Sequence, residues 1–181
     1  HIHPDHYDPI FLKKYIDYYG DKPIFIQKRS KNYLYSKMQR DGLNPTPITE
    51  FSDDNFKLGI FPFKPDSIFE IDSTLVVSSY DNHSIANFTA CNYDDRLISQ
   101  VNDYCNSILD TALLNYTPAS SFPQCYNFSK YEMSENILSI KSIYKKKFYD
   151  FKSALQPKLT IPFAGQYILG GKNYVLNQNL G

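Results

Sequence analysis

The first six residues, HIHPDH, contain three histidines and one aspartate. Imidazole nitrogens suit Zn²⁺ and Fe²⁺, and a carboxylate adds a hard oxygen ligand. In an extended loop alternate side chains point the same way, so His1 and His3 can converge on one ion. Asp5 and His6 lie further along and can face a second ion beside it. The cluster therefore predicts a metal-binding corner of an enzyme.

A helix start follows the cluster directly. Asp8 suits the N-cap and Pro9 suits the first helical position, and apolar residues then recur at helical spacing until Gly20. A purification tag explains the cluster less well, because tags are homopolymeric and Ile2 and Pro4 interleave here. A chance cluster also fits poorly, because all four ligands fall at one spacing and a helix start follows them.

The form H-x-H-x-D-H, complete at His1, His3, Asp5 and His6, resembles the signature of the metallo-β-lactamase superfamily. The resemblance implies an αββα sandwich with its metals at one edge of the sheets. It also implies an ion that polarises the substrate and lowers the pKa of a bound water.

Three later blocks resemble one subgroup of that superfamily and cover, in the expected order, nearly the whole chain. They read EIDSTLVVSSYDNHSIANFTAC, LDTALLNYTPASSFPQCY and LQPKLTIPFAGQYILGG. The subgroup contains the metallo-β-lactamase-like part of CMP-N-acetylneuraminate hydroxylases and bacterial relatives. In those hydroxylases a separate Rieske domain carries the redox centre, through C-x-H and C-x-x-H ligand pairs. Neither pair occurs in this sequence, so we do not expect the chain alone to hydroxylate.

Two positions depart from the pattern that the resemblance implies. A third histidine is expected near Ile68, and a bridging aspartate is expected where Ala90 stands. Two cations a few ångströms apart repel unless an anion lies between them. We therefore expect one well-occupied ion, Zn²⁺ or Fe²⁺.

Four nearby residues are candidate replacement ligands, and each also has a structural interpretation. His83 suits an exposed hairpin turn, Cys91 suits a packed thiol, and Asp94 with Asp95 suits an N-cap pair. The sequence leaves both interpretations open for each.

Periodicity predicts one α/β unit, an α+β layered fold. Beyond the first helix, helices are predicted over residues 30–40, 95–108 and 134–155. Strands are predicted over residues 23–26, 56–63, 73–79, 84–91, 111–116 and 159–163, and loops over 45–47 and 119–128. With the resemblance, this makes residues 1–181 the C-terminal larger part of one partial metallo-β-lactamase-like sandwich. Superfamily members have strands and a helix before the signature, so we expect the chain to be N-terminally truncated.

Composition excludes several classes of partner. The chain balances 19 basic and 19 acidic residues, which indicates neither nucleic acid nor an anionic membrane as partner. No apolar run approaches the ~18–20 residues that span a bilayer. Three cysteines without CxxC spacing are typical of reduced cytosolic thiols, so a cytoplasmic location is predicted. The oligomeric state stays open.

Two loops are candidate substrate-binding segments. The hydroxyl-rich stretch 116–123 follows a predicted buried strand and suits a sugar or phosphate, or is an ordinary turn-rich loop. Residues 164–167 present backbone N–H groups suited to an anion, or form a tight turn that needs glycine.

Two hypotheses about function follow. In the first, a metal-dependent hydrolase holds its ion through His1, His3 and His6, and Asp5 ligates or acts as the base for water. Its small-molecule substrate, by resemblance, is a phosphate- or nucleotide-linked sugar or another ester. In the second, the domain is a degenerate non-catalytic binding or scaffold module, or part of a hydroxylase-like oxygenase whose Rieske domain is absent. Ala90 and Ile68 favour the second hypothesis, and the intact HIHPDH favours the first.

Overall fold

The computed structural model describes residues 6–67, 71–81, 83–89, 91–106, 108–118, 120, 122–164 and 169–179. In chain order its elements are α1 (Pro9–Tyr19), β1 (Ile24–Gln27), α2 (Tyr33–Arg40), β2 (Pro45–Ile48), β3 (Glu50–Ser52), β4 (Phe56–Pro62), β5 (Ser73–Ser79), β6 (Ser84–Asn87), α3 (Asp95–Tyr104), β7 (Thr111–Leu114), α4 (Lys130–Leu155), β8 (Leu159–Pro162) and a 3₁₀ helix (Gly171–Asn179).

The first sheet consists of β1 and β2, which run parallel and are joined by α2. Residues 45–47 were predicted as a loop, and that prediction is wrong because they form most of β2. Pro45 and Pro47 are two residues apart, so their missing N–H groups fall on the same edge of the strand. Ile48 accepts the backbone N–H of Lys28 on the other edge. Within the described chain β2 pairs only with β1, and it does so through the edge on which Ile48 lies. Proline is therefore tolerated on the opposite edge, which pairs with no strand there.

The second sheet has six strands in the order β3-β4-β5-β6-β7-β8. Pairing is antiparallel from β3 to β6 and parallel from β6 through β7 to β8. Parallel neighbours need long crossovers, and these are supplied by α3 and α4. The predicted α/β class is confirmed, with helices alternating with strands after a hairpin-rich stretch.

The larger core lies between one face of the six-stranded sheet and α3 and α4. Phe151 of α4 is buried there, with its ring centroid 4.5 Å from that of Phe88 and 4.0 Å from that of Tyr93. The opposite face of the sheet is partly exposed at four apolar residues: Leu75, Ile85, Leu159 and Ile161. The two sheets meet at Phe25 and Phe51, whose ring centroids are 4.6 Å apart.

Several predicted boundaries shift. The helix predicted over 95–108 ends at Tyr104, because Asn106 adopts a positive φ that stops it. The helix predicted from residue 134 already begins at Lys130, where Ser129 and Glu132 form a capping box. The strand predicted over 84–91 ends at Asn87.

Of the helices that the structure describes, none combines the length and the apolar character needed to cross a membrane.

Candidate metal centre and the carboxyl edge of the sheets

Of the four predicted metal ligands, the structure describes His6. His1, His3 and Asp5 lie outside the described residues. His6 is exposed and stands two residues before Asp8. The helix start itself is confirmed: the Asp8 carboxylate accepts the N–H groups of Ile10 and Phe11 at 2.9 and 3.0 Å.

Tyr7, directly after His6, anchors this segment to the first sheet. Its ring is buried in a small cluster with Ile26, Met38 and Leu43. Its hydroxyl donates to Asp41 Oδ2 at 2.7 Å. Burial, with the Asp41 carboxylate beside it, raises the pKa of Tyr7 well above its ordinary value. The residue that follows the histidine cluster is therefore held by packing and by a hydrogen bond.

Within the described ranges, no three His, Cys, Asp or Glu side chains are grouped to hold a metal ion. Three of the four proposed ligands lie outside those ranges, so this finding leaves the HIHPDH prediction open. Ile68 and Ala90, the two departures from the expected ligand set, also lie outside them.

Three of the four candidate replacement ligands lie where their structural interpretations place them. The His83 side chain is 79% exposed in the turn between β5 and β6, as the structural interpretation predicted. Asp94 is the N-cap of α3, where its carboxylate accepts the N–H of Leu97 at 2.8 Å, and Asp95 follows in the first turn.

Cys91 is a packed thiol. Its side chain is buried, and Sγ donates to the carbonyl oxygen of Asn92 at 3.1 Å. Burial raises the pKa of the Cys91 thiol to about 12, although the neighbouring Thr74 hydroxyl opposes the shift. The thiol is therefore protonated at neutral pH, whereas metal ligation needs the thiolate.

The carboxyl ends of the parallel strands gather at one edge, which we call the carboxyl edge. It comprises the segments that follow β1, β6, β7 and β8. Residues 71–72, which precede β5, lie at the same edge because β5 runs antiparallel to β6. In α/β sheets ligands bind outside the carboxyl ends of strands.

Two side chains that the sequence analysis did not single out join the two sheets at this edge. Gln27 Nε2 donates to the carbonyl oxygen of Ile71 at 2.9 Å. Arg29 Nη2 donates to the carbonyl oxygen of Asp72 at 2.7 Å and to that of Phe63 at 3.3 Å. The sequence carried one signal that could have identified them. A basic loop lies between a buried strand and a helix start, an arrangement that binds ligands in βαβ units.

Buried oxygens without a hydrogen-bond partner follow β6 and β7 at the carboxyl edge. In the part of the chain that the structure describes, this holds for Thr89 Oγ1, Asn115 Oδ1 and Thr117 Oγ1. Buried polar atoms are normally hydrogen-bonded, so each such atom needs an explanation, and a ligand is one. Thr117 belongs to the predicted substrate-binding loop, of which Ala119 and Ser121 lie outside the described residues. In the second candidate loop, Ala164 is described and residues 165–167 are not.

No family model, no curated protein and no solved structure matches the chain.

Proposed function

We propose that the chain is a metal-dependent hydrolase domain, related to the metallo-β-lactamase superfamily. The observation that carries this proposal is the run HIHPDH, in which four ligands stand at the superfamily spacing. It is supported by the helix α1, which begins three residues after His6 and is capped by Asp8. Three imidazoles and one carboxylate are a donor set that suits Zn²⁺ or Fe²⁺.

In this proposal His1, His3 and His6 hold one ion, and Asp5 either completes the ligand set or takes the proton of the attacking water. When bound, the ion supplies Lewis acidity that polarises the substrate and lowers the pKa of water. The buried Tyr7, hydrogen-bonded to Asp41, limits the motion of the segment that leaves His6. The role of this chain is thus to fix the donors at a helix start.

The proposed substrate is a phosphorylated or nucleotide-linked sugar, or another ester. Arg29 supplies positive charge at the carboxyl edge, and the unpartnered oxygens of Thr89, Asn115 and Thr117 suit donors such as sugar hydroxyls. The balanced charge favours a small molecule over nucleic acid, and we propose a cytoplasmic location from cysteine usage.

The alternative proposal is a degenerate binding or scaffold module, or part of a hydroxylase-like oxygenase whose Rieske domain is absent from this chain. It is favoured by Ala90 and Ile68 at the expected ligand positions. It is also favoured by Cys91, whose side chain is packed in the core and whose Sγ donates to the carbonyl oxygen of Asn92.

A hydrolysis assay separates the two proposals. The zinc-loaded full chain is assayed against p-nitrophenyl phosphate, a sugar phosphate and a nucleotide-linked sugar. Asp5→Asn is expected to lower kcat by about 10²-fold or more, because it removes a ligand or the general base. The matched control is Asp17→Asn, at an exposed position on α1.

Equal activity of the Asp5→Asn and Asp17→Asn variants would contradict the hydrolase proposal. A wild-type chain that binds zinc but hydrolyses none of the three substrates would support the non-catalytic module.

A further inference from the structure

A small cleft opens where β1 passes into α2. Its walls include Gln27, Arg29, Lys31, Tyr33 and Ile71. Its empty space is about 250 Å³, part of which is open solvent. The enclosed part of the cleft is much smaller and holds little more than a water-sized group, so a ligand would lie largely in its open mouth.

The cleft lies at the N-terminus of α2. The cap residue Asn32 accepts the N–H of Tyr35 at 3.0 Å, and its Nδ2 donates to the carbonyl oxygen of Gln27 at 2.7 Å. The backbone N–H groups of Tyr33 and Leu34, in the first turn, have no partner within the helix, and both residues line the cleft. Unsatisfied N–H groups and the helix dipole together favour an anion at this end.

Two cationic side chains stand beside this helix start. The first turn of α2 carries no acidic residue, and Arg29 and Lys31 both line the cleft. A cation near a helix N-terminus is unfavourable, because it faces the positive end of the helix dipole. An anion bound between Lys31 and the helix would offset that cost.

Gln27 provides a second, independent indication of a ligand. Gln27 is 94% buried, with a relative solvent exposure of 6%. The bond from Nε2 to Ile71 fixes the orientation of the amide, and Oε1 then has no hydrogen-bond partner in the described chain. A buried acceptor left unsatisfied destabilises the fold, because its hydrogen bonds to water are lost and not replaced. A ligand that donates a hydrogen bond to Oε1 would recover much of this cost.

We propose that this cleft binds a small sugar phosphate. The phosphate lies against the N–H groups of Tyr33 and Leu34 and the ammonium group of Lys31. A neighbouring sugar hydroxyl donates to Gln27 Oε1. The site does not depend on the proposed metal centre, so it is tested with a chelator present, and its failure would leave the hydrolase proposal untouched.

Calorimetric titration of the full chain in EDTA tests the proposal with three probes: ribose 5-phosphate, inorganic phosphate and ribose. Saturable 1:1 binding of ribose 5-phosphate is expected. It should be about tenfold tighter than that of inorganic phosphate, because of the added hydrogen bond to Gln27. Ribose alone should not bind measurably, because it lacks the anion.

Two lysines of the same loop provide a matched pair of variants. Lys31→Gln removes a charge that lines the cleft and should weaken ribose 5-phosphate binding about tenfold. Lys28→Gln removes the same charge from an exposed residue of the same loop that is not part of the described lining, and should change the affinity less than about threefold. Gln27→Leu, once its fold is verified by circular dichroism, should bind both phosphate probes equally.

The absence of saturable binding of ribose 5-phosphate would overturn the proposal. Equal weakening by the two lysine variants would also overturn it, because it would indicate non-specific attraction. If Gln27→Leu fails to fold, the lysine pair alone decides. Equal affinity of the wild-type chain for ribose 5-phosphate and inorganic phosphate would refute the role of Gln27.

Discussion

Asp110, at the start of β7, connects the neighbouring strands on both sides. Its Oδ2 accepts the N–H of Ser84 at 2.8 Å, and its Oδ1 accepts from Lys158 Nζ at 2.7 Å. Its carbonyl oxygen accepts the N–H of Leu159 at 2.7 Å. The Lys158 hydrogen bond, followed by the Ser84 N–H, holds the pKa of Asp110 below its ordinary value. One carboxylate thus links the starts of β6, β7 and β8.

Asp110→Asn should lower the Tm at pH 7, because it removes the charge that Lys158 and Ser84 stabilise. The folded-state pKa lies below that of the unfolded chain. The stabilisation is therefore complete above the ordinary carboxyl value of about 3.9 and is lost as the pH falls through the folded-state pKa. Thermal melts from pH 7 down to pH 2.5 should show the difference between wild type and variant shrinking below about pH 4.

The control for this series is Asp54→Asn, at an exposed aspartate in the loop before β4. It should melt like the wild type at every pH. A Tm difference for Asp110→Asn that does not change with pH would show that the carboxylate charge is not the cause.

At the residue scale, local chemistry was predictable and long-range contacts were not. The Asp8 and Asp94 caps follow from the residue types within a few positions. The bond from Tyr7 to Asp41 spans 34 positions, and that from Gln27 to Ile71 spans 44. No local pattern specifies such pairs, since tertiary packing decides which distant residues meet.

At the element scale, α4 is anchored through its C-terminal half. Phe151 and Leu155 are buried near its C-terminal end, whereas Leu138 in its N-terminal half is 60% exposed. Leu155→Ala should lower the free energy of unfolding by about 2–5 kcal/mol, because it leaves a cavity in the core. Leu138→Ala, the same change on the same helix, should alter it by less than about 0.5 kcal/mol. Urea denaturation of both variants measures the difference.

Similar losses of stability for the two leucine variants would contradict this description of α4. They would indicate that the N-terminal half of the helix is also packed.

Most elements were predictable because capping and apolar periodicity act locally. Asp8 and Gly20 bound α1 as expected, and the alternation of helices with strands after the hairpins gave the α/β class. The strand β2 was missed because prolines usually mark loops. Both prolines lack the N–H group on the same edge of β2, so they do not interrupt the pairing of the other edge with β1. The strand is recognisable only from that pairing.

At the scale of the whole molecule, the order of strands brings together residues that lie far apart in the sequence. Parallel pairing of β6, β7 and β8 aligns their carboxyl ends, and Arg29 joins the first sheet to that edge. The order of the six strands and the contact between Phe25 and Phe51 were not predictable from periodicity. Periodicity indicates which face of a helix or strand is buried, but not which other element packs against it. The candidate site is therefore partly local, in HIHPDH, and partly a product of topology.

The proposed metal centre requires that the amino-terminal histidines and Asp5 gather around a cation. Elemental analysis of the full chain, loaded with zinc and separated from free metal by gel filtration, tests this most directly. The wild type should carry about one zinc per chain, as expected for a single site with histidine and carboxylate ligands. His3→Ala should lose most of that zinc, whereas His83→Ala, which changes the exposed hairpin histidine, should retain it. A wild-type chain without zinc, or a His3→Ala variant that retains as much as His83→Ala, would contradict the claim.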